Sequence, residues 1–133
     1  MGGWMENKTT NKDSRVLIVD DDFSVRDFLD RFLKKKGFIH VQSASNGQEG
    51  LNIVEKEDIK IVLLDVKMPG MDGLEVLYRI KSIKPDVGVI MISGFPEEDL
   101  AKQAMKEGAY DYIIKPFDLA YLEVSMLTKI ALM

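Results

Sequence analysis

Apolar positions along the chain follow two alternating rhythms. Short runs rich in Val, Ile and Leu read as strands: a first buried strand at 15–19, a third at 59–64 buried on both faces of a sheet, a fourth at 87–92, and a short fifth at 110–114. A further run at 38–44 is more weakly patterned and reads as a strand nearer an edge. Between them, apolar residues return every three or four positions, the spacing of amphipathic helices. Ser24 to Lys36 carries Val25, Phe28, Leu29, Phe32 and Leu33 on one face, and Gly37 is a good stop. Asn46-Gly47-Gln48-Glu49 has capping-box form and opens a helix to about Lys56, with Leu51, Ile53 and Val54 as its apolar content. Gly73 to Ile83, capped by Asp72 with Glu75 three residues on, repeats Leu74, Leu77 and Ile80. Pro96 with Glu97, Glu98 and Asp99 starts a lightly apolar helix that runs to about Glu107 and ends at Gly108. Asp118 caps a last helix to the terminus, with Leu119, Leu122, Met126 and Ile130 along one side. Strand and helix alternate five times with short links, which predicts an α/β domain: a parallel sheet covered on both faces.

Composition narrows the chemistry. The chain has 133 residues, enough for one domain with a real core, and no internal repeat or second domain is visible. Residues 1–14 are polar and aperiodic and read as a flexible leader; two readings of its start stand side by side, Met1–Trp4 as an added segment with Met5 the natural start, or Trp4 packed on the domain. A net charge of -4 argues against general nucleic-acid binding. The absence of cysteine excludes disulfides, thiolate metal sites and cysteine nucleophiles. The single histidine, His40, excludes a His-rich metal centre. No apolar run reaches membrane-spanning length and no signal peptide precedes the first strand, so cytoplasmic residence is the default expectation.

In an open parallel sheet, chemistry gathers at the carboxyl ends of the strands. The first strand ends in Asp20-Asp21-Asp22, the third in Asp65, the fourth at Ser93 and the fifth at Lys115. Adjacent carboxylates repel and call for a compensating cation. Oxygen donors without His or Cys favour a hard ion, Mg²⁺ before others. A hydroxyl and an ammonium facing that ion complete a pocket suited to a tetrahedral dianion, with Asp65 as the candidate nucleophile. Each piece alone has a plainer reading: a turn or helix cap for the Asp pair, a loop hydroxyl for Ser93, a solvated cation for Lys115. Four strand ends supplying compatible groups make the combination far more specific than its parts.

The motifs Leu17-Ile18-Val19-Asp20-Asp21-Asp22, Leu64-Asp65-Val66-Lys67-Met68-Pro69-Gly70-Met71-Asp72-Gly73, Ser93-Gly94 and Ile114-Lys115-Pro116-Phe117 resemble those of the receiver domain of bacterial two-component response regulators. The resemblance runs from about Arg15 to the end, giving a receiver domain over 15–133. It implies a flavodoxin-like (βα)5 fold, doubly wound, with a five-stranded parallel sheet in the order 2-1-3-4-5. It implies that Asp65 accepts a phosphoryl group from a sensor histidine kinase or phosphotransfer protein. Asp21, Asp65 and the backbone carbonyl of Lys67 would ligate Mg²⁺, with Asp20 acting mainly through water. Ser93 would bond the phosphoryl group and Lys115 would pair with it. Ser93 and Tyr112 would form the switch, the aromatic turning inward as the hydroxyl moves. A half-buried aromatic on the last strand is the competing reading of Tyr112.

The same resemblance places signal output on the fourth helix, fifth strand and last helix, toward a downstream protein or output domain. Tyr110, Tyr121 and the methionines near the terminus are candidate contacts there, as is a phosphorylation-linked homodimer. Core packing explains those methionines equally well. No membrane contact and no direct nucleic-acid binding are expected. Lys67 and Phe95, each two residues past a pocket residue, sit at the mouth and point to a phosphorylated state that is not the shortest-lived of its kind. On this reading the chain is a signalling phosphoacceptor, catalysing only its own phosphorylation and dephosphorylation. Two alternatives stand beside it. An Mg²⁺-dependent aspartyl-nucleophile phosphohydrolase would need an acid/base carboxylate where Lys67 stands. A phosphorylation-independent interaction module would have little use for so complete a pocket. A flavin or nucleotide carrier is disfavoured because Asp20-Asp21-Asp22 would repel phosphate.

Overall fold

Strands rich in β-branched residues and helices with one apolar stripe bury most surface when a single sheet is sandwiched between two helical layers. The computed structural model, which describes residues 12–94 and 97–133, has that form. From Arg15 to Ala131 the elements alternate as β1 (Arg15–Val19), α1 (Phe23–Lys35), β2 (Val41–Ala44), α2 (Gly47–Lys56), β3 (Ile59–Asp65), α3 (Gly73–Ile83), β4 (Gly88–Ser93), α4 (Glu98–Lys106), β5 (Asp111–Ile114) and α5 (Leu119–Ala131). All strand pairs are parallel, in the order β2-β1-β3-β4-β5. The expected flavodoxin-like topology is therefore the observed one.

Side chains of successive strand residues point to opposite faces, and the core divides accordingly. One half packs Leu17, Val19, Val62, Leu64, Val89 and Met91 against α2, α3 and α4. The other packs Val16, Ile18, Ile61, Leu63, Ile90 and Ile92 against Leu29 and Leu33 of α1 and Leu122, Met126 and Ile130 of α5. Met126 is thus a core residue, while Met133 is exposed.

Helix starts follow the expected capping chemistry. Asp22, Asn46, Asp72 and Asp118 each accept a backbone N–H of the following first turn. Glu97, the N-cap of α4, makes no side-chain cap bond. Two local expectations need correction. The second strand begins at Val41 rather than Phe38, because Phe38 closes α1: its N–H donates to the Leu33 carbonyl and its ring is buried. Phe28, assigned to the inward face of α1, is 52% exposed, because the stripe that reaches the sheet is carried by Leu29 and Leu33.

Residues 1–11 of the expected leader lie outside the described residues, as do Phe95 and Pro96. Within the same segment, the Lys12 ammonium sits 3.0 Å from a Glu123 carboxylate oxygen on α5, and the Lys12 carbonyl accepts the Ile39 N–H.

Candidate phosphoacceptor site

The register of the sheet assembles the site. Val19 stands opposite Leu64, so the next residues, Asp20 and Asp65, emerge side by side. Asp65 stands opposite Ile92, which brings Ser93 to the adjacent edge, and Ser93 stands opposite Ile114, one residue short of Lys115. The Lys115 N–H donates to the Ser93 carbonyl at 2.7 Å, and the Lys115–Pro116 peptide is cis. A cavity of about 280 Å³ is lined by Asp20, Asp21, Asp22, Asp65, Lys67, Ser93, Gly94 and Lys115. Six of the seven candidate site residues therefore meet in one place. Tyr112 does not line it.

The acidic side of the cavity is closely built. Asp20, Asp21 and Asp65 each offer a carboxylate oxygen within 4.8 Å of the others. Asp20 is 3% exposed; it accepts the Asp22 N–H at 2.9 Å, and the Lys115 ammonium lies 3.7 Å from its other oxygen. Burial pushes its carboxyl above the usual range, against the pull of the Asp22 N–H and Lys115. Arg26 donates to the Asp20 carbonyl at 2.8 Å, fixing the turn rather than neutralising the carboxylate. Burial, then repulsion from Asp20, raises Asp65 to about 6, while Lys115 and the Lys67 N–H pull it down. Such mutual destabilisation among oxygen-only donors is what a hard divalent cation relieves, so the donor set fits Mg²⁺.

The opposite side carries the polar partners. Ser93 is 1% exposed at the end of β4. Gly73 supports the floor: a Cβ there would come within 2.7 Å of the Asp65 carbonyl and of Val66, so the α3 start approaches β3 closely because position 73 lacks a side chain. At the mouth, the Lys67 ammonium pairs with Glu97 at 2.9 Å.

Tyr112 lies across from Met91 on β4, on the sheet face that packs against α4. Its ring is turned inward, and its buried hydroxyl has no hydrogen-bond partner among the described residues. Nearby, Asp111 fastens β5 to α5, accepting from the Tyr121 hydroxyl at 2.6 Å and from Ser125 at 2.8 Å. Tyr110 packs against the α1/α5 half of the core.

Arg26 and Asp111 were not singled out from the sequence, while Gly73 entered only as part of the turn motif after Asp65 and Glu97 only as part of the start of α4. Glu97 pairs across thirty positions and has no local signal. The Asp72-Gly73 pair signalled a turn, but the close approach of Gly73 to the β3 backbone is visible only in the packed structure.

Residues 16–126 match the response regulator receiver domain model. The chain belongs to that family. Receiver domains interact with histidine kinases or phosphotransfer proteins and with output domains, and generally bind Mg²⁺ in an acidic pocket. Sporulation initiation phosphotransferase F of Bacillus subtilis is 41% identical over 105 residues, covering 79% of this chain and 84% of that protein. Regulatory protein AtoC of Escherichia coli is 37% identical over 84% of this chain but only 24% of its own length. Several other curated relatives are also longer, the chain spanning between 25% and 48% of them. The receiver domain from Methanospirillum hungatei aligns with TM-score 0.84 at 31% identity, over 89% of this chain and 94% of that one. The CheX-CheY-BeF3-Mg complex from Borrelia burgdorferi aligns with TM-score 0.81 at 33% identity, over 86% and 87%. This receiver therefore serves two-component signalling. Among its described residues no helix is long and apolar enough to cross a membrane.

Proposed function

We propose that Asp65 is the phosphoacceptor of this receiver, charged by a histidine kinase or a phosphotransfer protein, and that Asp20, Asp21, Asp65 and the Lys67 carbonyl hold Mg²⁺. The observation that carries this is the convergence of Asp65, Ser93 and Lys115 with the acidic cluster in one cavity. An Asp65 carboxylate oxygen attacks phosphorus in line. The P–N bond of the donor phosphohistidine breaks as the P–O bond forms, and the electron pair leaves on the imidazole, which takes a proton. Bound Mg²⁺ supplies charge neutralisation for the phosphoryl oxygens. Lys115 offers an ammonium to one oxygen and the Ser93 hydroxyl a hydrogen bond to another. Beside Lys115, a groove lined by Val25, Phe28, Pro116, Phe117 and Leu119 offers apolar surface to an incoming donor protein.

Output then follows from new charge. A phosphoryl group at Asp65 draws Ser93 inward, and the space it leaves favours the inward Tyr112 ring already present here. Exposed Met105, Ile114, Tyr121 and Val124 give α4, β5 and α5 an apolar surface for a downstream partner or a second copy. Similarity to a sporulation phosphotransferase supports a relay role, in which Asp65 passes its phosphoryl group on to another protein.

The test is intact mass after incubation with acetyl phosphate and Mg²⁺. The native chain gains one phosphoryl group, and chelator or Asp65→Asn abolishes the gain. A gain by Asp65→Asn equal to that of the native chain would show that the acceptor is elsewhere.

A further inference from the structure

We infer that the Lys67–Glu97 ion pair is a phosphoryl-sensitive latch, holding the N-terminus of α4 to the rim of the acceptor cavity until Asp65 is modified. This rests on the phosphoacceptor reading of Asp65 and adds the route by which charge there reaches α4.

Three observations combine. Lys67 lines the cavity that holds Asp65, and its ammonium lies 2.9 Å from Glu97. Glu97 is the N-cap of α4, yet it makes no cap bond with its side chain, so that carboxylate serves the pair instead of its own helix. Within α4, Ala104 is the buried residue and Leu100 is partly buried against the core. A helix with so little buried apolar surface is weakly fixed, and a tether at its first turn carries unusual weight.

Phosphorylation changes the competition for Lys67. A dianion on Asp65 places more negative charge in the cavity than the carboxylate it replaces, while Glu97 still offers one. The Lys67 ammonium turns from Glu97 toward the phosphoryl oxygens, and the α4 start is released. Linkage makes the coupling reciprocal: whatever breaks the pair favours occupancy of the cavity by a phosphoryl-like anion. Because both partners are about half exposed, the coupling is modest, about two- to fivefold in affinity.

The experiment uses the whole chain and beryllofluoride with Mg²⁺ as the phosphoryl mimic, in native protein, Glu97→Gln, Lys67→Gln and the double variant. Affinity is measured by titration, and amide hydrogen exchange is followed over residues 98–101. Native protein shows faster exchange there when the mimic binds. Glu97→Gln shows it without the mimic and binds the mimic about two- to fivefold more tightly. In the Lys67→Gln background, Glu97→Gln adds nothing further. A gain of the same size in both backgrounds means Glu97 acts by general repulsion and overturns the latch. Native-like affinity and exchange in Glu97→Gln also overturn it. Failure of the native chain to bind the mimic at all overturns the phosphoacceptor reading, and the latch with it.

Discussion

Replacing Asp65 with Asn stabilises the domain near neutral pH, and the size follows from the pocket. Folding moves the Asp65 carboxyl from 3.8 to about 6, through burial and then through the Asp20 charge. At ~1.36 kcal/mol per unit of pKa, the ionised group opposes folding by at most about 3 kcal/mol. Asp65 is only half-buried and the cavity opens to water, so screening reduces this to about 2 kcal/mol. Protonated Asp65 is favoured by the folded state. Its contribution is therefore complete below about pH 4 and is lost as pH rises through about 6. An amide at position 65 keeps the shape without the charge. For a domain of this size, Asp65→Asn melts higher by roughly 5–10 °C at pH 7.5 in chelator, and the gap shrinks toward zero near pH 4. Millimolar Mg²⁺ closes much of the gap at pH 7.5, because the native carboxylate binds the cation more tightly than the amide. The assay is thermal unfolding by circular dichroism between pH 4 and 8, with and without Mg²⁺. Equal melting of the two proteins at every pH, or a less stable Asn variant at pH 7.5, would refute the reasoning.

Other sites give sharper local tests. Tyr112→Phe removes a buried hydroxyl that has no partner among the described residues and raises stability in urea unfolding by about 1 kcal/mol; a loss of stability would mean the hydroxyl is satisfied in solution. Gly73→Ala forces a methyl against the Asp65 carbonyl and the Val66 backbone, costing about 1–3 kcal/mol and slowing acetyl phosphate labelling, which mass spectrometry reads directly. Lys115→Met removes a cation that lowers Asp65, so the Asp65 carboxyl titrates above about 6 in carbon NMR; an unchanged or lower midpoint would show that Lys115 does not act on it.

Much of this was legible because the signals were local or followed from chain order. The α3 helix runs from Gly73 to Ile83 as its cap and period require. Asp20, Asp65, Ser93 and Lys115 meet because each directly follows or ends a strand, and parallel alternation puts all such ends on one edge. Pairing between residues far apart was not legible. Lys67 and Glu97 sit on separate loops, and neither residue type demands a partner. Phe28 misled because helical periodicity marks a stripe without saying how wide a strip the sheet covers. Phe38 misled for a related reason: a buried aromatic next to a strand serves equally well as the hydrophobic stop of the preceding helix. The inward Tyr112 could be placed on its strand by alternation, but its orphaned hydroxyl is a property of the packed core.

The charge balance of the cavity links these results. Among the described residues, Asp20, Asp21 and Asp65 share their cavity with two lysines: Lys115 stands nearest the most buried of the three, and the Lys67 ammonium pairs with Glu97. Arg26, although close, is engaged with a backbone carbonyl. Burial first, and the Asp20 charge after it, raise the Asp65 carboxyl to about 6. Near pH 7 that value leaves the Asp65 carboxyl mostly ionised, the form that the proposed phosphoacceptor role needs. On the proposed reading, Mg²⁺ held by these carboxylates would neutralise the excess negative charge, and a phosphoryl group on Asp65 would restore it. Lys115 follows a short strand and faces Asp20, whereas Lys67 stands on the loop after β3 with an exposed partner. The group best able to move toward the restored charge is therefore Lys67, and its departure from Glu97 turns a local electrostatic change into freedom for α4.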